Sequence, residues 1–358
     1  MKKTPFFFLS RGFLVFGLFV LLGVAGGGRT ERYAIGWDDL HIDARRQGLN
    51  SGDNGGTRII VVDKNCSGDS PTVQGAVDLV PHYNKQRVKI YILPGIYREK
   101  VTIPSTKPYI SLIGNKRRVT DTIITWNDKA SDRDINGGEL GTYRTATVSV
   151  ESDYFCATGI TFENTVVAEP GDSGRQAVAL RIAGDKAMFY RVKFIGQQDT
   201  LLDDIGTHYF YQCHIQGSVD FIFGRARSLY EQCIISSTAE NYGAIAAHHR
   251  DSAEEETGFS FVHCVINGSG KILLGRAWGN YSRTIYSYCY IQDIITPTGW
   301  SDWGDPSRQR TVVFGQYNCR GSGANTQGWV PWAKTFSYEE VRPFLDMKFI
   351  NGEQWLDL

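Results

Sequence analysis

Two aspartates, Asp199 and Asp220, stand in apolar company within the stretch Gly196–Gly224, GQQDTLLDDIGTHYFYQCHIQGSVDFIFG. A carboxylate buried among such neighbours needs a partner or a raised pKa, so a pair of them is a candidate nucleophile and general acid. Gln197 and Gln198, beside the first aspartate, add uncharged amide donors of the kind that hold an oxyanion. Further on, LLGRAW at Leu273–Trp278 sets a guanidinium and an indole just after an apolar run. There Arg276 could pair with a carboxylate and Trp278 could stack on a sugar face. The pair His248-His249, ahead of Glu254-Glu255-Glu256, offers less. Adjacent histidines point apart on a strand, so they make a poor metal site and the segment reads as a solvated loop. Either aspartate alone would read as a turn residue, so only the scaffold can make them a pair.

The scaffold is legible as a repeat. Aligning YRVKFIG, YQCHIQG, EQCIISS, VHCVING and SYCYIQD puts Val192, Cys213, Cys233, Cys264 and Cys289 in one column. Phe194, Ile215, Ile235, Ile266 and Ile291 form a second column two positions later. A period of roughly 20 to 30 residues marks a stacked array. Short β-rich runs, apolar residues in register and no space for crossover helices predict an all-β fold, a parallel β-helix. An antiparallel sandwich would explain the strand lengths but not the aligned column. Neighbouring coils stack about 4.8 Å apart, so residues at equivalent places become neighbours in space. Asp199 and Asp220 each follow their column residue, Val192 or Cys213, by seven positions, which puts them on adjacent coils and the same face.

The flanks of the array are read separately. Residues 1–26 have the charge pattern and short apolar run of a signal peptide, with Lys2 and Lys3 leading and Ala25-Gly26-Gly27 closing. Residues 27–56 form a polar, Gly-rich extended lead-in, and residues 57–358 the β-helix domain. Ser70-Pro71 starts a helix whose apolar face is Val73, Ala76, Val77 and Val80, suited to covering one end of a sheet. Tyr338 to Trp355 are expected to supply a helix and a terminal strand that cap the open end. The chain of 358 residues has a formal net charge of zero, which excludes a global field selecting nucleic acid or an anionic membrane. Seven cysteines without a CxxC pair argue against zinc, and sequons at Asn65, Asn267 and Asn280 agree with a secretory route. Column cysteines on successive coils could bridge or remain a stack of small buried thiols.

Taken in order, GIYREKV at Gly95, GTYRTATV at Gly141, QAVALR at Gln176, GQQDTLL at Gly196, GSVDFIFG at Gly217, LGRAW at Leu274 and the C-terminal FINGEQWL resemble the plant pectinesterases, the pectin methylesterases. The resemblance covers nearly everything from Ile59 to Leu358. It implies a right-handed, pectin-lyase-like single-stranded parallel β-helix with short capping helices. It also implies hydrolysis of the methyl esters of homogalacturonan through an aspartyl acyl-enzyme, without metal or organic cofactor. By the same resemblance Asp220 is the nucleophile, Asp199 the general acid and base, and Gln198 the main oxyanion donor with Gln176 beside it. Arg276 holds the nucleophile, and Thr142 and Trp278 contact substrate. The implied setting is the cell wall, reached by secretion, with a monomer acting on pectin and a proteinaceous inhibitor as a further partner; no nucleic acid or membrane is involved.

From these roles, Asp220 facing Arg276 is expected to have a lowered pKa, and Asp199, beside that charge, a raised one. The anionic product calls for cationic and aromatic groove contacts, for which Arg276, Trp278, Arg225 and Tyr143 are the candidates. The sequence departs from the family at Ala277, where proline is usual, at Gln197 and Leu202, where aromatics are usual, and at Arg225, where asparagine is usual. Of the disulfides in relatives, only Cys233–Cys264 has its match. The N-terminal inhibitor-like region that many relatives carry has no space here. Two other readings remain to be separated by experiment: a catalytically silent wall-binding β-helix, and a related pectin lyase or polygalacturonase.

Overall fold

Each repeat of the column motif becomes one coil, and the coils stack through parallel ladders. The computed structural model describes residues 34–42, 57–167 and 173–358. The expected signal peptide and most of the lead-in lie outside the described residues. Strand runs are short because every coil must turn three times. An 11-stranded sheet runs from Arg58–Val62 to Lys334–Thr335 along one side. The other two sides merge into a 14-stranded sheet, because Ile234–His248 and Val265–Ala277 run on where other coils turn. This is a right-handed parallel β-helix.

The column residues fix the register. Lys193, His214, Ile234, Val265 and Tyr290 pair in succession, each one residue after its column position. Just before the column, Arg191, Gln212, Gln232, His263, Tyr288 and Asn318 all take φ between 48° and 54°. A left-handed conformation costs about 1–2 kcal/mol for a residue with a Cβ. Here it turns the chain sharply while the N–H still bonds the next coil, as in Gln212 N to Glu231 O at 3.0 Å and Gln232 N to Val262 O at 3.0 Å. Inside, Phe189, Phe210, Tyr230, Phe261 and Tyr286 stack face to face with centroids 4.6–4.8 Å apart, the spacing of the coils themselves.

The column cysteines do not bridge. All seven cysteines are free thiols, so the Cys233–Cys264 disulfide implied by the resemblance is absent. Side chains stacked in register stand parallel at the coil spacing of about 4.8 Å, beyond the Cβ separation of about 3.5–4.5 Å that a disulfide favours. Each thiol donates instead to a carbonyl of the preceding coil: Cys213 to Phe189, Cys233 to Phe210 and Cys264 to Tyr230, all at 3.3 Å.

The ends are closed differently from the expectation at two points. The first helix spans Val73–Asp78 and is capped by Thr72, whose hydroxyl accepts from Gly75 N at 3.0 Å, rather than by Ser70. Its Val73, Ala76 and Val77 plug the core as predicted. The C-terminal segment does not cover the opposite end. Tyr338–Val341 is a single helical turn, and Phe349, Ile350 and Trp355 lie on the outer face of the 11-stranded sheet, against Met188, Tyr209 and Leu229. Ile35 and Leu40 join that cluster, and Ile35–Gly36 pairs with Leu356–Asp357, so residues 34–42 are docked there. Trp329 and Trp332 pack on the core at the far end instead. Among the described residues no helix is long and apolar enough to cross a membrane.

Candidate active site

Side chains along a strand alternate between faces, and on the merged sheet this separates two apolar groups. Leu201, Ile222 and Ala246 point into the core, while Leu202, Phe223 and Ala247 point outward and gather with Ala146, Val178 and Trp278. Phe223, Ala247 and Trp278 of this outer cluster line a cavity of about 390 Å³ together with Thr142, Tyr143, Gln176, Gln198, Asp199, Asp220, Arg276 and Trp303. Its size lies within the usual range for small-molecule sites, about 300–1,000 Å³.

Asp199 and Asp220 stand two residues before Leu201 and Ile222, which pair across adjacent coils. The backbone N–H of Asp199 bonds Val219 O at 3.0 Å, which fixes the two loops together. Both aspartates are left-handed, with φ of 63° and 47°. They are 8% and 6% exposed. Gln176 belongs to the preceding coil, and the Ala177 N–H bonds Gln198 O at 3.1 Å. Gln197 does not line the cavity; its carbonyl is used by Ser218 N. Thr142 and Tyr143 come from the short helix Gly141–Arg144. Tyr143 donates to Asp204 at 3.3 Å, and Asp204 also accepts from Arg181 at 3.0 Å.

Arg276 arrives from a coil farther along, opposite Ala247 in register. Its Nη2 is 3.1 Å from Asp220 Oδ2, its Nη1 donates to the Tyr242 hydroxyl at 3.3 Å, and its guanidinium lies 3.7 Å from the Trp303 ring centroid. The other carboxylate oxygen of Asp220, Oδ1, is buried without a hydrogen-bond partner, as is Gln176 Oε1.

The electrostatics overturn one expectation. Asp220 is not lowered: burial pushes it up to about 7, with Arg276 opposing. One cation touching one oxygen does not recover the solvation lost by both. Asp199 is raised well above the usual carboxylate range, first by burial and then by the charge of Asp220, with Arg276 too weak to restore it. The order still separates the two, because Asp220 ionises while Asp199 holds its proton.

The remaining polar residues of this stretch have structural partners. Asp203 is fully buried and accepts from Tyr230 OH at 2.6 Å and pairs with His208 Nδ1 at 2.5 Å. Arg225 is not among the lining residues; its guanidinium pairs with Asp251 at 2.9 Å. His248 and His249 do point apart, the first fully buried and the second toward Trp278. Among the described residues no group of three or more His, Cys, Asp or Glu could hold a metal. Trp303, Phe223 and Ala247 were missed in the sequence. For the last two, the signal was the alternation from Leu202 carried through the coil register.

The pectinesterase family model matches residues 59–353. The chain belongs to the pectinesterase family. It is similar to Pectinesterase QRT1 of Arabidopsis thaliana, with 65% identity over 342 residues that cover 94% of this chain and 89% of that protein. It is also similar in structure to the pectin methylesterase from carrot, with a TM-score of 0.77 and 33% identity over 86% of this chain and 97% of the other. The pectin methylesterase of Aspergillus niger matches with a TM-score of 0.71 and 27% identity, covering 86% and 98%. In this chain the cavity lies on the outer face of the stacked coils.

Proposed function

We propose that the protein is a secreted pectinesterase that hydrolyses the methyl esters of homogalacturonan in the cell wall. The observation that carries this is a pair of buried carboxylates from equivalent loops of adjacent coils, only one of which touches a cation. Ionised Asp220 presents its unpartnered Oδ1 to the ester carbonyl carbon. The new C–O bond turns the carbonyl oxygen into an oxyanion, which accepts a hydrogen bond from the side-chain N–H of Gln198. As the C–OCH₃ bond breaks, Asp199 gives its proton to the departing methoxide, and methanol leaves. The uronyl group is then an anhydride on Asp220. Asp199, now a carboxylate, takes a proton from water while the water oxygen attacks the uronyl carbon. Rupture of the bond to Asp220 restores both residues and yields the free uronic acid. No step needs a metal or an organic cofactor.

The surrounding residues fit binding and orientation. Arg276 holds Oδ2 of Asp220 and leaves Oδ1 without a partner, and Trp303 and Tyr242 hold Arg276. Trp278, Tyr143 and Thr142 offer sugar-stacking and hydroxyl contacts, and Gln176 an amide whose buried oxygen has no hydrogen-bond partner of its own. A monomeric state and recognition by a proteinaceous inhibitor belong to the same reading.

The decisive experiment incubates purified protein with methyl-esterified pectin and measures methanol. Wild type should release it, while Asp220→Asn and Asp199→Asn should not, although both still bind pectin. Glycosidic cleavage without methanol would point to a lyase or polygalacturonase. Binding with neither product would point to a silent wall protein.

A further inference from the structure

Trp278 directly follows the strand that ends at Ala277, and both its backbone and its ring are held. Arg308 donates through Nη1 to the carbonyls of Ala277 and Trp278, at 2.5 and 3.2 Å. Phe223 lies on one side of the indole at 6.1 Å. On another, the His249 imidazole meets it edge-on at 4.8 Å between centroids and an interplanar angle of 74°. His249 does not line the cavity, so it reaches substrate only through Trp278.

We infer that His249 is a positioning residue, which with Asp251 and Arg225 sets the orientation of Trp278 and so the affinity for the polymer. This rests on the reading of the cavity as a pectin site. The backbone N–H of His249 bonds Gly224 O at 2.8 Å, which ties it to the strand carrying Phe223. Its side chain is 22% exposed, and Nδ1 is buried without a hydrogen bond, 3.6 Å from Asp251 Oδ1. Asp251 would draw the imidazole away from Trp278 if its charge were unopposed. Its other oxygen is taken by Arg225 at 2.9 Å, which supplies that opposition. Burial lowers the pKa of His249, Arg225 and Arg308 lower it further, and Asp251 and Glu255 oppose them. The ring therefore stays neutral and free to pack on the indole. Arg225 thus acts behind the groove rather than in it.

The test is steady-state methanol release from polymeric pectin by His249→Ala, His249→Phe and Arg225→Asn, with thermal unfolding of each. His249→Ala should raise KM about two- to tenfold, the range expected from losing one aromatic edge contact. Its kcat should stay within about twofold, since no group at the reacting ester has changed. His249→Phe keeps the edge contact and should restore KM, while Arg225→Asn should raise KM by less than the alanine change. An unchanged KM in His249→Ala, or failure of His249→Phe to restore it, overturns the inference. A joint fall of kcat and unfolding temperature also overturns it, because the role would then be structural. Absence of methanol release by wild type sinks the underlying reading instead, and the two failures are thereby told apart.

Discussion

Removing the charge of Asp220 is predicted to stabilise the protein while abolishing its chemistry. Burial raises this carboxyl from 3.8 to about 7 in the folded protein. A shift of about three units corresponds to about 4 kcal/mol at about 1.4 kcal/mol per unit. The sign follows from proton binding. Between the two pKa values the folded protein holds more protons than the unfolded chain, so stability falls as pH rises through that window. The contribution is fully present below 3.8 and lost above about 7. Asp220→Asn cannot ionise and should escape this loss. The variant should match wild type near pH 4 and exceed it at pH 8, with about 4 kcal/mol as the ceiling. Arg276 lowers that ceiling, because it loses its counter-ion. Its side chain is 21% exposed and rests on Trp303, so it keeps part of its solvation and a cation–π contact. Denaturant unfolding of both proteins at pH 4, 6 and 8, analysed with a shared m-value, reads the difference directly. Parallel stability curves across that range would refute the claim that burial outweighs Arg276.

Other consequences follow from the same site and scaffold. Gln198→Ala should lower kcat by about 10²–10³, the usual loss for one oxyanion donor, as measured by methanol release at saturating pectin. The rate should rise with pH as Asp220 ionises through about 7 and fall at higher pH as Asp199, raised further still, loses its proton. A single rising limb would show that Asp199 is not the acid. All seven cysteines should react with a thiol reagent after denaturation without reductant, and fewer titratable thiols would reveal a bridge that the stacked coils disfavour.

The sequence carried the fold wherever a repeat repeated itself. The aligned cysteine column translates directly into register, and the equal offsets of Asp199 and Asp220 translate into adjacency, because a stack of coils turns sequence distance into a fixed spatial step. What lay outside that rule was harder to read. Trp303 is two residues past Ser301, which pairs with Arg276, but its ring reaches the guanidinium only through a left-handed turn at φ 62°. The last residues of the chain have the apolar pattern of a cap, and that pattern is equally satisfied on the outer face of a sheet, where Met188, Tyr209 and Leu229 present an apolar surface. Arg225 reads as a groove cation from its place just after the GSVDFIFG motif, but its pairing with Asp251 depends on a loop 26 residues away.

The protonation order is the clearest case of a quantity that residue types cannot give. An aspartate facing an arginine reads as a stabilised anion, and only the folded geometry reveals that Arg276 reaches one oxygen of Asp220 while the other is buried and bare. Yet the scaffold makes some separation unavoidable. Two carboxylates held a coil spacing apart cannot both ionise cheaply, so the one nearer a cation gives up its proton first and its charge raises the other. On the proposed mechanism a nucleophile and an acid thus arise from identical side chains, both raised by burial and set apart by the cation that touches Asp220 alone. Replacing Arg276 with an uncharged residue of similar size should remove that asymmetry, leaving both aspartates protonated at neutral pH. Methanol release by Arg276→Met should then be weak at pH 7 and partly recover at higher pH, where one carboxyl ionises. If Arg276→Met instead kept the wild-type pH profile, the split would have to come from the loops themselves and not from the cation.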